Sequence, residues 1–388
     1  MVSFEFATAG RILFGPGRIA DVPAQVAALG VKRALLVTGA ATERAAPTRN
    51  ALIERGIAAI PFAVVGEPTL DTARQGVALA FSHSCDGVVA IGGGSPLDAG
   101  KAIAALIANG GDPLDYIEVI GRGRPIERPS VPMVAVPTTA GTGSEVTRNA
   151  VLASPEEQVK ASMRSPHMLP DIAVVDPELL ATAPRQVLAA GGLDALSQLI
   201  EPYLSARANP FTDALAAQGI ALSARSLRRA CLEGPHPMAC IDLALASVLG
   251  GLCLANAGLG AVHGFAAPAG GMVGAPHGAL CAALLPFSFE VNLRALRERD
   301  PDSPVLARMS DVALWLCGNQ DPEAAIEWLR ALTRDLGIPG LAAWGMRHSQ
   351  LPDLVARARA ASSMRGNPIA LTDEELFEIA ERSLGAAP

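Results

Sequence analysis

The sequence predicts two domains of different class, an α/β half built on a parallel sheet and then an all-helical half. Three observations predict this. Short apolar runs alternate with helix-like segments through the first half of the chain. From about Leu188 onward, long helix-period stretches follow one another and strand signals nearly vanish. Between the two, DPELLATAP breaks the pattern around Pro177–Pro184. The expected domains are residues 1–183 and 184–388.

The elements follow in order. Ala34–Thr38 (ALLVT), Gly87–Ile91 (GVVAI), Met133–Val136 (MVAV) and Ile172–Val175 (IAVV) read as buried strands. They are short, rich in branched side chains, and followed by Gly, Pro or Asp. Helix-like segments lie at about 43–55, 70–83 and 96–108, and strand–helix–strand alternation calls for parallel pairing. The second half reads as helices at about 190–205, 212–232, 240–258, 278–296, 304–317, 322–336 and 373–384. RERDPDS at 297–303 is a solvated connection, and no internal repeat or low-complexity tract is visible.

Composition excludes some partners. Net charge is −7 and the basic residues are scattered without a stripe, which argues against nucleic acid. Half of the residues are hydrophobic, with a mean hydropathy of +0.32. No run of 18 or more apolar residues appears, so no membrane span is expected. MVSFEFATAGRILFG has no basic segment before an apolar core, so no secretory signal is expected and the reading is cytoplasmic. The six cysteines (85, 231, 240, 253, 281, 317) form no CxxC pair and read as buried, reduced thiols.

Two glycine-rich loops carry the first chemical signal. DGVVAIGGGSPLDAGKAIAAL reads as strand, turn and helix. Gly92, Gly93 and Gly94 permit a tight turn, Ser95 is expected to cap, and Pro96 suits the first helical position. A helix N-terminus above a strand suits a diphosphate. VPMVAVPTTAGTGSEVT also follows a buried strand and offers Thr138, Thr139, Gly141, Thr142, Gly143 and Ser144. Two such loops at strand ends mark the crevice where α/β sheets bind nucleotides. After the first predicted strand, Gly39 stands where a ribose-binding acid is usual, with Glu43 and Arg44 slightly later. The chain is therefore permissive for NADP as well as NAD.

A second signal lies in the helical half. Asp194 and Gln198 are four residues apart on one helix face, and Glu201 continues that face. His263 and His277 lie in GAVHGFAAPAGGMVGAPHG. Carboxylate and imidazole are ordinary ligands of Zn2+ or Fe2+. Each residue alone also has a structural reading: Asp194 as a cap or ion pair, Gln198 as a solvated helix residue, each histidine as a satisfied core group.

Across essentially the whole chain, these motifs resemble the iron-containing (group III) alcohol dehydrogenases. The resemblance rests on GRILFGPG, IGGGSPLDAGKA, PTTAGTGSEVT, KASMRSPHMLPDIAVVDPEL, GLDALSQLIEPYLS, GLGAVHGFAAPAGGMVGAPHG and MRGNP, in that order. It implies a Rossmann-like nucleotide-binding domain and a helical domain, the architecture shared with dehydroquinate synthase. It also implies that metal and nicotinamide meet in the cleft between the domains, in a homodimer or higher homo-oligomer. By resemblance the metal ligands are Asp194, Gln198, His263 and His277. Cofactor contacts are implied at Gly94, Ser95, Asp98, Thr138, Thr139, Thr142, Thr147, Asn149, Lys160 and Leu179, beside Gly39 and Gly93 from the loops. Lys160 and His263 are the expected catalytic residues, Lys160 near the nicotinamide ribose or the substrate oxygen.

Three positions depart from the family pattern: Gln198 where histidine is usual, Ala267 where a relay histidine is common, and Gly39 where aspartate is common. The implied activity is a metal-dependent NAD(P) alcohol dehydrogenase or aldehyde reductase, with Fe2+ or Zn2+. The alternatives are a metal-independent oxo-acid reductase resembling maleylacetate reductase and a lyase resembling dehydroquinate synthase. Phe265 and Met272 near the histidines favour a small or apolar alcohol or aldehyde, whereas Arg148 and Arg164 would suit a carboxylate.

Overall fold

The computed structural model describes residues 3–157, 159–234 and 236–385. The chain forms two compact units. One takes in Ala7–Thr139 and Gly143–Thr182; the other takes in Ala183–Pro388 with Met1–Phe6 and Ala140–Thr142.

The first unit is built on a six-stranded parallel sheet. Its strands are β1 (Arg11–Phe14), β2 (Arg33–Gly39), β3 (Ala58–Val64), β4 (Gly87–Gly92), β5 (Met133–Pro137) and β8 (Ile172–Val175), in the order β1-β8-β5-β4-β2-β3. Helices α1 (Val22–Ala28), α2 (Ala46–Glu54), α3 (Leu70–Ser82), α4 (Gly94–Asn109) and α5 (Pro113–Tyr116) connect them. A separate antiparallel hairpin joins β6 (Asn149–Ser154) to β7 (Val159–Arg164).

Alternation along the strands explains the layers. Ala34 and Leu36 of β2 join Val89, Val134 and Val174 in one core, while Leu35 and Val37 join Val88, Ala90 and Ala135 in another. The central strand β4 is buried along its whole length, as a parallel strand covered on both faces must be. All four strands expected from sequence are present. The two the sequence did not reveal in the sheet, β1 and β3, are its edges. Both are partly exposed, and β3 carries Pro61, which an edge strand tolerates.

The second unit contains helices and no strand among the described residues. They are α6 (Arg185–Leu204), α7 (Pro210–Leu232), α8 (Pro237–Ala257), α9 (Ala261–Val273), α10 (His277–Arg299), α11 (Pro304–Cys317), α12 (Pro322–Leu336), α13 (Leu351–Ala360) and α14 (Asp373–Arg382). His263 lies in the first turn of α9, just after the non-helical glycine segment at 258–260. Reciprocal caps at Asn209/Thr212 and Thr372/Glu375 start α7 and α14. Among the described residues, helices α8 and α10 are long and apolar enough to cross a membrane by length and composition. Their apolar windows are 72% and 89% buried inside the unit, the state of core helices.

Glycines bring α6 close to its neighbours. A Cβ on Gly192 would lie 2.2 Å from a Leu227 methyl, and one on Gly278 would lie 2.7 Å from the Ala190 carbonyl oxygen and 3.4 Å from Asp194 Cβ. Gly278 thus lets the first turn of α10 lie directly against α6 beside Asp194. All six cysteines are free; five are buried and Cys317 is exposed.

Candidate metal centre and nucleotide loops

Three helices of the second unit deliver the donors. Helix α6 carries Asp194 and, one turn on, Gln198; α9 carries His263; α10 carries His277 and, one turn on, Cys281. One ligand atom from each of Asp194, His263, His277 and Cys281 falls within 4.8 Å of the others. Asp194 Oδ1 lies 3.3 Å from His263 Nε2 and 3.8 Å from His277 Nε2. His277 Nε2 lies 3.6 Å from Cys281 Sγ. Asp194, Gln198, His263 and Cys281 are buried, and His277 is about one-third exposed.

Asp194 Oδ1, Gln198 Oε1 and His263 Nε2 are all buried without a hydrogen-bond partner. Leaving such groups unsatisfied costs about 1–3 kcal/mol each. Asp194 Oδ1 and His263 Nε2 belong to a cluster of four donor side chains that fits a cation, and Gln198 Oε1 lies one turn on from Asp194 on the same helix; oxygen and nitrogen atoms suit Zn2+ or Fe2+. Burial works against the His263 imidazolium, but Cys281, Glu201 and Asp194 outweigh it and hold its pKa well above the usual histidine value. Burial likewise opposes the Asp194 carboxylate, and His277 and His263 outweigh it and hold its pKa down. Burial pushes the Cys281 thiol up to about 12.

Cys281 is the donor that sequence reasoning missed, having grouped it with structural thiols. Its signal was the i, i+4 spacing from His277, the same spacing that singled out Asp194 and Gln198. Phe265 is a correction of another kind. It is fully buried in the helical core and is not available to line a substrate site, whereas Met272 is half-buried.

In the α/β unit the two glycine-rich loops meet. The Thr138 N–H donates to the Gly92 carbonyl at 2.9 Å, and a Cβ on Gly93 would lie 3.1 Å from Thr139 Oγ1. Helix α4 begins at Gly94 with Gly93 as its N-cap and no side-chain cap. Ser95 therefore does not cap; it lies in the first turn with Pro96. Bare N–H groups in a glycine cradle suit an anionic phosphate. Gly39 ends β2, and a Cβ there would meet the Pro96 ring at 3.8 Å. The buried Thr38 hydroxyl beside it has no partner.

Other expected contacts are engaged in the framework. Asp98 accepts from the Ser144 hydroxyl at 2.5 Å and the Val151 N–H at 2.9 Å. Lys101 is wholly buried and donates to the Ser144 carbonyl, the Thr147 hydroxyl and the Asn149 carbonyl, with Asp98 3.1 Å away. Burial pulls its ammonium below the usual lysine value. Beside it, burial raises the Glu145 carboxyl to about 7. Lys160 lies on β7, mostly buried, with its Nζ 3.1 Å from Glu67 Oε1. Leu179 packs against the sheet core. Thr142 lies in the short segment that belongs with the helical unit, where the Gly141 N–H donates to Ser247 Oγ at 2.8 Å. Arg164 is exposed and faces Glu118 at 3.5 Å.

Comparison with known proteins follows the same division. Residues 9–177 match the family model described as iron-containing alcohol dehydrogenase, and residues 188–384 match that of the Fe-containing alcohol dehydrogenase family, C-terminal. A 1,3-propanediol dehydrogenase of Klebsiella pneumoniae is 37% identical, over 97% of each chain. The crystal structure of a 1,3-propanediol oxidoreductase superposes with a TM-score of 0.91 at 35% identity, covering 98% of this chain and 100% of that one. A sulfoacetaldehyde reductase from Bifidobacterium kashiwanohense, solved in complex with NAD+, gives 0.87 at 27% identity over 99% of both.

Proposed function

The chain belongs to the iron-containing alcohol dehydrogenase family, and from that premise we propose how its residues divide the work. It is a metal-dependent, NAD(P)-linked oxidoreductase acting on alcohols and the corresponding aldehydes. The observation that carries the site assignment is the pair of buried, partnerless donor atoms on Asp194 and His263 beside His277 and Cys281, with a third partnerless atom, Gln198 Oε1, one turn on from Asp194. A metal-independent reductase would leave those atoms unsatisfied.

Asp194, His263 and His277 would hold the ion, with Gln198 and Cys281 as further donors. A sulfur donor tilts the choice toward Zn2+ over Fe2+. When bound, the ion supplies Lewis acidity toward a substrate oxygen and the nicotinamide supplies the hydride. His263 is catalytic as a ligand. Gly93, Gly94 and Ser95 bind the diphosphate through backbone N–H groups, with Thr138, Thr139, Thr142, Thr147, Asn149, Asp98 and Leu179 shaping the same cofactor site. Gly39 admits the adenosine ribose with or without a 2′-phosphate. With Ala267 at the usual relay position, Lys160 is assigned to the proton of the substrate hydroxyl, at its Nζ.

Residues 1–183 serve the nucleotide and 184–388 the metal and substrate. The substrate is a small alcohol, diol or aldehyde, as the name of the 1,3-propanediol relative supports. The family resemblance supports a cytoplasmic homodimer or higher homo-oligomer. The test is NADH and NADPH oxidation against short aldehydes before and after chelation. The reading expects activity lost on chelation and restored by Zn2+ or Fe2+. Undiminished turnover in metal-stripped protein would contradict it.

A further inference from the structure

The donor cluster accounts for one nitrogen of the His263 ring; the other faces elsewhere. His263 Nδ1 lies 2.6 Å from Glu201 Oε2. The second oxygen of the same carboxylate, Oε1, accepts the Val262 N–H at 2.6 Å. Glu201 is buried on α6, on the same face as Asp194. One helix thus bears both a donor and the group that contacts a second donor's far side.

The start of α9 reinforces this arrangement. Its N-cap, Gly260, provides no side-chain cap, and the first two N–H groups of any helix lack intrahelical acceptors. Here Asn367 Oδ1 takes the Ala261 N–H at 3.0 Å and Glu201 takes that of Val262. Asn367 is itself held by Asn292 Oδ1 at 2.7 Å and the Ile369 carbonyl at 2.8 Å. A Cβ on Gly260 would lie 2.9 Å from Asn367 Oδ1 and 3.0 Å from Glu201 Oε1, so the glycine keeps both acceptors close.

We propose that Glu201 is a positioning residue of the metal centre, which holds the His263 ring proton on Nδ1 and leaves Nε2, facing Asp194, as the lone-pair donor. The inference rests on the metal-centre reading above. With Oε1 already accepting the Val262 N–H, the Oε2 atom 2.6 Å from Nδ1 is placed as the acceptor of a ring N–H. A neutral ring, the form that binds an ion, with its single proton held there would present a bare Nε2 to the cluster in a fixed orientation.

Glu201→Gln tests it with almost no change of shape. The Val262 N–H can meet only an oxygen, so the new amide nitrogen must face His263 Nδ1. Nδ1 then becomes the acceptor, and the ring proton moves to Nε2, where it blocks the ion. Zn2+ and Co2+ affinity, read by competition with a chromogenic chelator, is expected to fall about 10–100-fold. The Co2+ ligand-field bands should change with it. Asn367→Ala removes the neighbouring cap without touching the ring. It should lower the Tm and cost less affinity than Glu201→Gln.

A measurement on the unmodified protein guards against a variant that fails to fold. In 15N-histidine-labelled, Zn2+-loaded protein, His263 should show a protonated Nδ1 and a metal-shifted Nε2. Wild-type affinity and an unchanged Co2+ spectrum in Glu201→Gln would overturn the proposal, as would coordination through Nδ1. Failure of the wild-type protein to bind either ion would instead overturn the metal-centre reading, and this inference with it.

Discussion

At the scale of single residues, two side chains carry the predictions for the proposed centre. Gln198 offers an uncharged oxygen where its family offers imidazole, and Cys281 brings a sulfur into the same cluster. With its thiol pushed up to about 12, Cys281 would bind an ion as thiolate only if the ion displaced its proton to solvent. Cys281→Ser should therefore weaken Zn2+ binding by about tenfold or more and abolish near-ultraviolet sulfur-to-cobalt absorption in Co2+-loaded protein. Gln198→His should tighten Zn2+ binding. Equal affinities in both variants and the wild type would remove these residues from the shell. Glu145 makes a separate prediction. Its carboxyl is raised to about 7 in the folded chain against 4.5 ordinarily, so the folded state keeps a proton that the unfolded state has lost. Stability from this group therefore falls as pH rises from 4.5 to 7, by a contribution of order 3 kcal/mol. Glu145→Gln should flatten that part of the Tm-versus-pH curve and raise the Tm at neutral pH.

At the scale of elements, close helix contact sets the geometry of the donors. Gly278→Ala would drive a methyl to 2.7 Å from the Ala190 carbonyl and toward Asp194, displacing the turn that carries His277. A loss of about 1–3 kcal/mol in stability is expected, with weaker metal binding; calorimetry and chelator competition check the two together. The strands legible in the sequence were those buried on both faces, where apolar, β-branched runs are dense, as in β2, β4, β5 and β8. The illegible ones had physical reasons to be so. Strands β1 and β3 are partly exposed edges, and β6 and β7 form a short hairpin in which alanine, serine and charged residues interrupt the apolar ones. Helix α9 was hidden by its glycines and by Pro268, which read as a loop yet lie within the helix. Its remaining residues are mostly alanine and other apolar groups, and its neighbours supply the caps at its start.

At the scale of the whole molecule, the proposed function gives each unit one half of the chemistry. The α/β unit joins two glycine-rich loops above a parallel sheet, and the helical unit gathers carboxylate, imidazole and thiol side chains from α6, α9 and α10. The spacing of Asp194 and Gln198 and the isolation of two histidines were legible. The second layer was not. Glu201 and Asn367 act through contacts 62 and 106 residues distant in sequence, which no local pattern encodes. The framework roles of Asp98 and Lys101 were hidden for the same reason, since both depend on residues more than 40 positions away. The central claim is that one chain holds one ion at Asp194, His263 and His277. The most direct measurement is the number of Zn2+ ions retained per chain after metal-stripped protein is reloaded and desalted, for the wild type and for Asp194→Ala. The account predicts one for the wild type and none for the variant. Equal retention by the two, or no retention by either, would contradict it.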